Sequence, residues 1–190
     1  WDSRSNGTDD RGSNMIKDIA FPSTKDSPHG VIFGRNIAEL ESLPNSVAVH
    51  KSAEGFLSSN IFKLNELRKY SSKYSKMIDI CLGLKDPSHG KIFIYHPFVQ
   101  GSGVELIISV LNANGFLQDG NTPTKDSICM MCDVNYGKHG TIKDHQFQPV
   151  HFTFITGSIS KTSSTMRMNA FNNGNNVFGE RIKIIIGSKA

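Results

Sequence analysis

The sequence predicts an α/β protein in which a parallel β-sheet carries helices on both faces. Three runs rich in β-branched and aromatic residues have the composition of buried strands, namely Lys91–Tyr95, His151–Ile155 and Ile182–Ile186. Segments with helical periodicity lie before and between these runs. Strands that alternate with helices favour a parallel sheet, because helices usually make the crossovers between parallel strands.

The first predicted helix begins after a pair of serines. Ser71 or Ser72 can cap its start, and Gly83 can close its end. Its apolar residues recur at the i, i+3, i+4, i+7 and i+8 positions of a one-sided helix: Tyr74, Met77, Ile78, Cys81 and Leu82. This spacing predicts that the helix packs one face against the core, with Cys81 as a core residue.

Two further helices are predicted directly after strands. The segment Val104–Asn112 is apolar on most faces and is stopped at Gly115, a residue that suits a left-handed helix end. A helix over about Lys161–Phe171 follows the second strand, with Ser160 or Thr162 as its cap. Each helix therefore begins close to the end of a buried strand.

Each strand is expected to end in a loop of small residues at one edge of the sheet: Pro97–Gly103, Thr156–Lys161 and the loop that begins at Gly187. Backbone N–H groups and the positive end of a helix dipole make such places suitable for anions, although every α/β protein also needs loops of this kind as plain connections. Neither G-x-x-x-x-G-K-[ST] nor G-x-G-x-x-G occurs in the sequence. No local motif marks a catalytic residue, so none is predicted.

Composition sets limits on the kind of protein. The net charge is +4 with acidic and basic residues interspersed, which permits an anionic partner without requiring one. No apolar run approaches the length of a membrane span. Residues 1–60 give no clear pattern and are predicted to be a linker or an irregular N-terminal segment. The first 14 residues are polar and lack the apolar core of a signal peptide, so the three cysteines are expected to stay reduced.

A long segment of low periodicity, residues 117–150, contains a cysteine and histidine pattern that predicts a zinc-binding insertion. Cys129 and Cys132 form C-x-x-C, and His139 and His145 follow at short spacing. Two thiolates and two imidazoles make a complete tetrahedral shell for structural zinc, which would also order a segment with little apolar content. His151 competes as the fourth ligand, but it opens a strand, so His145 is preferred.

Two other interpretations of the C-x-x-C pair stay open. The segment can be an unliganded loop with a chance pair of cysteines. It can also be a redox dithiol, although that motif normally opens a helix after a strand. We favour zinc over both. The zinc site is expected to be structural, since four protein ligands would leave no open position for a substrate water.

Four stretches carry a family resemblance: Y-S-S-K-Y-S-K-M-I (70–78), K-I-F-I-Y-H-P-F-V-Q-G-S-G-V-E-L-I-I-S-V-L-N-A-N-G-F (91–116), F-I-T-G-S-I-S-K-T-S-S-T-M-R-M-N-A-F-N (154–172) and I-K-I-I-I-G-S-K-A (182–190). Together they resemble the C-terminal RecA-like domain of superfamily 2 helicases. The likeness is greatest to helicases of nucleo-cytoplasmic large DNA viruses, a group that includes the small subunit of the poxvirus early transcription factor. It covers about residues 60–190, and the Cys/His segment also resembles an insertion found in several of these proteins.

The resemblance implies roles by position. Ile92–Phe98 would match helicase motif IV, and Gly187–Ala190 would open motif V. Arg167 and Phe171 would lie on the helix beneath the turn made by Thr156 and Gly157. The residues that the resemblance places against the nucleic-acid backbone are Pro97, Phe98, Gly103, Thr156, Gly157, Gly187 and Ser188.

The resemblance also implies what the chain needs from elsewhere. Residues 61–190 would form an incomplete RecA-like domain. A missing N-terminal RecA-like domain would supply the sites for ATP and Mg²⁺. The chain alone is then expected not to hydrolyse ATP, while its parent would act on DNA or RNA in viral transcription or replication, in the host cytoplasm or the virion, away from membranes. The alternatives are a zinc-stabilised module that binds nucleic acid or protein without motor activity, and an unrelated α/β enzyme such as a transferase.

Overall fold

A computed structural model describes residues 31–32, 35–36, 50–51, 57–99, 103–140 and 144–189. The strands are β1 (Val31–Ile32), β2 (Arg35–Asn36), β3 (His50–Lys51), β4 (Leu57–Ser58), β5 (Ile92–His96), β6 (Leu117–Gln118), β7 (His151–Ile155) and β8 (Ile184–Ser188). The helices are α1 (Leu64–Tyr70), α2 (Ser72–Gly83), α3 (Val104–Ala113), α4 (Tyr136–His139) and α5 (Lys161–Phe171). Short 3-10 helices span Asn60–Phe62, Pro87–His89 and Gly174–Asn176.

The main sheet has four parallel strands in the order β5-β8-β7-β6. Its register aligns Phe93 with Ile185 and Thr153 with Ile185, so that the last strand of the chain lies in the middle of the sheet. The parallel α/β sheet predicted from the sequence is therefore confirmed. Two small antiparallel pairs, β1 with β2 and β3 with β4, lie outside it.

Helices cover both faces of the sheet, as the sequence predicted. On one face, α2 and α3 pack on alternate strand residues that include Ile94, Phe152 and Ile186, and this forms the main core. We call it the α3 face. On the other, the α5 face, Phe171 packs with Ile182 and Ile185 in a smaller cluster. Cys81 is 1% exposed in the main core, and burial raises the pKa of its thiol to about 12.

Helix α2 begins and ends where the sequence placed it. The Ser71 hydroxyl accepts a hydrogen bond from the Tyr74 N–H at 3.3 Å, which satisfies one of the free donors of the first turn. Among the residues that the structure describes, no helix has both the length and the apolarity required to cross a bilayer. The core takes in Ile61 and Phe62, but the domain boundary at residue 60 stays a prediction, because most of residues 1–56 lie outside the described part.

Helix α1 was not predicted, because its start depends on a residue far away in the chain. The Asn114 side chain accepts a hydrogen bond from the Leu64 N–H at 2.8 Å and donates to the Phe62 carbonyl at 2.8 Å. Asn114 also ends α3, so one amide joins two helix termini. Strand β6 was missed as well, since two residues are too few for any periodic pattern.

The prediction that Gly187 and Ser188 begin a loop is wrong. Both belong to β8, which pairs with β5 as far as His96 opposite Ser188. Strand β8 has the same length as the predicted run Ile182–Ile186 but lies two residues further along the chain, because it pairs with all of β5 from Ile92 to His96. An added Cβ on Gly187 would lie 3.1 Å from the Phe93 ring, so glycine lets that ring lie close to the backbone of β8.

Asn176 organises the turn between α5 and β8. Its side-chain amide donates to the carbonyls of Phe171 and Ile182, at 2.9 and 3.0 Å. Its side-chain oxygen accepts from the N–H groups of Arg181 and Ile182, at 2.9 and 2.8 Å. Asn176 is 1% exposed, and these four hydrogen bonds replace the water that it gives up.

Candidate nucleic-acid interface and metal centre

Three strands end side by side at one edge of the main sheet. Gly187 lies opposite both Tyr95 and Ile155 in the register. The loops that begin at Pro97 and Thr156 therefore leave the sheet on either side of the end of β8. Carboxyl ends of parallel strands, with the helix starts that follow them, are where open α/β sheets bind ligands. We call this edge the strand-end edge.

The structure brings the seven residues assigned to nucleic acid to the strand-end edge. The loop after β5 returns to the start of α3, where the Val104 N–H donates to the Phe98 carbonyl at 3.1 Å. Gly103 is the N-terminal cap of α3. Pro97 is exposed, whereas Gly101 and Ser102 lie outside the described residues. The contact of these seven residues with nucleic acid stays a prediction.

His96 holds the start of this loop in place, a role that the sequence did not predict. It ends β5 and is half-buried, and its Nδ1 lies 3.2 Å from the N–H of Phe98, which can donate to it. Burial lowers the pKa of His96, and the charge of Lys73 lowers it further, while a hydrogen bond to the Phe98 carbonyl acts in the opposite direction. A histidine at the end of a strand, before Pro97, was the available sequence signal.

The turn after β7 presents backbone and hydroxyl groups at the same edge. Thr156 is 4% exposed, and its hydroxyl lies 2.8 Å from that of Ser158. Gly157 between them is exposed. Ser160 caps α5 by accepting from the Ser163 N–H at 3.1 Å, so the first turn of the helix directly follows the exposed turn.

Arg167 on α5 contacts both the backbone and the side chain of a β7 residue, Phe154. Its guanidinium donates to the Phe154 carbonyl at 2.8 Å and lies 4.3 Å from the centroid of the Phe154 ring. Burial lowers the pKa of Arg167, and the charge of Asp119 raises it. These contacts hold α5 against β7 two residues before Thr156, while a position of Arg167 beneath the Thr156 turn stays a prediction from the resemblance.

The other candidate site is the Cys/His cluster. The ligand atoms of Cys129, Cys132, His139 and His145 all lie within 4.8 Å of one another. His145 Nε2 is 3.3 Å from Cys129 Sγ and 3.1 Å from His139 Nε2. A tetrahedral zinc ion with ordinary Zn–N and Zn–S bonds separates its ligand atoms by roughly 3.3–3.8 Å. His151 is not in the group, which agrees with the preference for His145.

The chemistry of the donors fits a cation. A neutral His145 has at most one proton on Nε2, which can serve either the sulfur of Cys129 or the nitrogen of His139 but not both. Burial raises the pKa of Cys129, but hydrogen bonds from the backbone of Gln148 and Met131 and from the side chain of His145 outweigh it and lower the pKa to about 6. Lone pairs thus converge on one point, and a metal ion there would satisfy all of them.

Local backbone geometry forms the cluster. The Cys129 N–H donates to the Val134 carbonyl at 3.1 Å, and the Asp133 N–H donates to the Cys129 carbonyl at 3.2 Å, which folds C-x-x-C into a tight turn. Asp133 adopts φ 62°, a left-handed value that Asp tolerates better than most residues. The Phe147 ring packs on His139, with ring centroids 5.2 Å apart.

The insertion is fastened to the opposite edge of the sheet, where the strands begin. Cys129 forms an isolated antiparallel β-bridge with Pro149, which lies just before β7. The Ile128 N–H donates to the Gly115 carbonyl at 2.9 Å, and Lys85 pairs with Asp133 at 2.8 Å. Gly115 has φ +83°, and a Cβ there would lie 2.5 Å from the Asp126 carbonyl oxygen. The Cys/His cluster therefore lies away from the strand-end edge.

Comparisons with known proteins extend these observations. The chain is 34% identical over 126 residues to an "Early transcription factor large subunit homolog" of African swine fever virus, covering 66% of this chain and 11% of that protein. It is 31% identical over 171 residues to the "Putative ATP-dependent RNA helicase L377" of Acanthamoeba polyphaga mimivirus, covering 80% of this chain and 15% of that protein. A "Putative helicase 087L" of Invertebrate iridescent virus 3 is 32% identical over 126 residues, 65% of this chain and 10% of that protein.

The chain is homologous to these helicase-like and transcription-factor proteins of large DNA viruses. The relatives confirm the resemblance noted in the sequence. The early transcription factor relative is named for the large subunit, whereas the resemblance seen in the sequence included the small subunit. The chain spans only about a tenth to a seventh of the length of the relatives described. No family model matches it, and no solved structure matches it.

Proposed function

We propose that this chain is part of an ATP-dependent nucleic-acid helicase or translocase of a large DNA virus. In that role its strand-end edge contacts the backbone of DNA or RNA, and the edge forms half of an ATP cleft. One observation carries the proposal: three strands end side by side at one edge of the sheet. The seven residues that the resemblance assigns to nucleic-acid contact all lie at this edge. The names of the viral relatives support the same class of protein.

The strand-end edge can attract a polyanion without recognising bases. Backbone N–H groups in the turns and the starts of α3 and α5 are suited to phosphate oxygens. ATP hydrolysis in motors of this class needs a phosphate-binding loop, Mg²⁺ and an arginine finger in one cleft. The sequence contains no phosphate-loop motif, so a separate RecA-like domain has to supply that part.

We assign a structural zinc ion to Cys129, Cys132, His139 and His145. When bound, zinc would crosslink the turn that carries Cys129 and Cys132 to the segment that carries His139 and His145. The residues around it keep the ligands in place: Phe147 packs on His139, and Lys85 pairs with the turn that carries Cys132. Because the cluster is at the opposite edge of the sheet, its role in the proposal is to stabilise the fold.

The early transcription factor name of one group of relatives suggests a role in viral transcription. A parent protein of this kind would act in the host cytoplasm or the virion, with other subunits of a transcription machinery. The relative named as an RNA helicase makes RNA a candidate substrate beside DNA.

Binding to single-stranded oligonucleotides tests the strand-end edge. The chain is expected to bind mixed-sequence DNA and RNA weakly and to lose at least about tenfold in affinity between 50 and 200 mM salt, because phosphate contacts dominate. Gly157→Glu places a carboxylate in the exposed turn and should weaken binding about fivefold or more. Fluorescence anisotropy measures both effects.

Gly174→Glu is the matched control, because it makes the same charge change at an exposed glycine beyond the far end of α5 with open space around it. It should weaken binding far less than Gly157→Glu. Equal effects of the two variants would contradict the proposed interface. Binding that survives Gly157→Glu but is lost with the metal would favour the alternative function, a zinc-stabilised binding module without motor activity, which the Cys/His cluster supports.

The purified chain is expected to show no ATP turnover above a blank, with or without single-stranded nucleic acid. Its sequence has no phosphate loop to hold the β- and γ-phosphates. Release of phosphate is measured with a coupled assay. Turnover that co-purifies with the chain through two unrelated columns would contradict this part of the proposal and favour the unrelated α/β enzyme.

A further inference from the structure

A polar cleft lies between the insertion and the helices beside it. Its volume is about 250 Å³. Pockets that hold small ligands measure roughly 300–1,000 Å³, so the cleft suits a group as small as one nucleobase. The start of α1, the end of α3 and the insertion form its walls, and the polar side chains among them are those of Lys63, Asn65, Asn114, Asp126 and Asn135.

Most polar side chains of the cleft are available to a ligand. The Asn114 amide is already engaged by backbone groups of α3 and of the start of α1. Asn135 donates to the Asp126 carbonyl at 3.0 Å, which leaves its side-chain oxygen as an acceptor. Within the part of the chain that the structure describes, no residue forms a hydrogen bond or an ion pair with the side chains of Lys63, Asn65 or Asp126. The cleft therefore offers both donors and acceptors, the mixture found along the edge of a base.

The charges of the cleft distinguish a base from a phosphate. Lys63 would attract a phosphate, but the carboxylate of Asp126 would repel it. A carboxylate instead accepts a hydrogen bond from the exocyclic amino group of cytosine, whereas thymine and uracil present an oxygen at that position. The cleft therefore favours an amino-bearing base, and it needs a single strand, in which the edges of the bases are not paired.

An exposed aromatic ring lies next to the cleft along the chain. Tyr136 directly follows Asn135, and its N–H donates to the Ser127 carbonyl at 2.7 Å, one residue after Asp126. The Tyr136 side chain is 48% exposed. Its ring contacts that of Phe147, with the centroids 4.8 Å apart, so it is held from one side. A ring that is held in this way and otherwise open to solvent is suited to stacking on a base.

We propose that the cleft and the Tyr136 ring form a second contact site for single-stranded nucleic acid. The cleft holds one amino-bearing base by its edge, and Tyr136 stacks on a neighbouring base. Lys125 and Lys138 are exposed on the same two segments, where phosphates of the bound strand would pass.

This site goes beyond the proposed function, because it reads bases, whereas the strand-end edge contacts only the backbone. The insertion that carries Tyr136 is fastened to the opposite edge of the sheet, where Cys129 forms its β-bridge with Pro149. The second site and the strand-end edge can therefore fail separately.

Base preference tests the cleft. In a Gly157→Glu background, which weakens the strand-end edge, the chain should bind an oligomer of cytidine at least about fivefold more tightly than one of thymidine. Asp126→Asn should remove this preference, because an amide can donate to the thymine oxygen as well as accept. Asp144→Asn should keep it, since Asp144 is an exposed acid of the same insertion that does not line the cleft. Fluorescence anisotropy measures the affinities. Equal affinities for the two oligomers, or a preference that survives Asp126→Asn, overturn the proposal.

Photochemical crosslinking tests the ring. An oligomer of cytidine that carries one photoreactive iodocytosine should crosslink to Tyr136. Tyr136→Phe should keep the affinity, whereas Tyr136→Leu should weaken it about fivefold or more, because only the aromatic side chain can stack. Zinc content and the thermal midpoint show whether each variant keeps the folded insertion. If Tyr136→Leu does not fold, the crosslink in the unchanged chain decides.

The outcomes separate the two sites. Crosslinks confined to the strand-end edge overturn the second site and leave the proposed function intact. A crosslink at Tyr136, together with equal binding by Gly157→Glu and Gly174→Glu, supports the second site and contradicts the strand-end interface. A chain that binds neither oligomer overturns both.

Discussion

Replacing Cys129 with serine is expected to abolish zinc binding and to lower the free energy of unfolding by at least about 3 kcal/mol, because the proposed ion would hold the insertion in its folded form. Cys129 is fully buried, and its sulfur lies 3.3 Å from His145. Protein purified from zinc-containing medium without chelators should carry about one equivalent of zinc in the unchanged chain and well under half in the variant. Metal analysis and urea unfolding provide the two measurements.

Paired histidine variants test the ligand assignment. His145→Asn should lose the metal as Cys129→Ser does, whereas His151→Asn should keep it, since His151 opens β7 outside the cluster. Cys81→Ala is the cysteine control, because Cys81 lies in the main core. Retention of zinc by His145→Asn together with its loss from His151→Asn would show that the fourth ligand was wrongly chosen. Absence of zinc from the unchanged chain would contradict the zinc site itself.

Replacing Asn176 with alanine is the second large effect that we expect. The substitution removes four hydrogen bonds, two from the Asn176 amide to the Phe171 and Ile182 carbonyls and two to its oxygen from the Arg181 and Ile182 N–H groups. The Phe171 carbonyl keeps its hydrogen bond from Lys91 Nζ at 2.9 Å. The expected loss is about 3 kcal/mol in the free energy of unfolding, given the cost of buried polar groups that lose their hydrogen bonds. Urea denaturation measures this loss, and the Ile182 amide should exchange faster.

Asn175→Ala is the control for Asn176→Ala, because Asn175 is the same residue type in the same short helix but is exposed. Its effect should stay within about 0.5 kcal/mol. Asn176→Asp keeps the shape but loses both donated hydrogen bonds and directs a negative charge at two carbonyl oxygens. It should be at least as harmful as alanine. Similar small losses at both positions would mean that the turn reorganises without Asn176.

The sequence predicted those features that depend on neighbours in the chain. The start of α2 at Ser71 follows from a local cap and a one-sided apolar pattern. The Cys/His cluster could be proposed because metal ligands of this type recur at short, fixed spacings. The choice of His145 over His151 used only the expectation that a strand begins at His151, and the structure places His145 with the cluster.

Features set by distant partners could not be predicted. The position of β8 is set by its pairing with β5, which is why Gly187 and Ser188 are in a strand and not in a loop. The start of α1 depends on Asn114, a residue 50 positions away. In both cases the deciding contact is made only after the chain has folded.

The position of β8 has a consequence for how the protein is made. Strand β8 is synthesised after the other three strands of the main sheet, lies between β5 and β7, and forms the pairs that join them. A nascent chain on the ribosome therefore has two separate halves with exposed apolar edges until residues 184–188 have emerged. Closure over such a long sequence separation is slow, and partly built sheets of this kind are prone to aggregate. Until β8 joins them, β5 and the pair formed by β6 and β7 would thus be exposed to association with other chains.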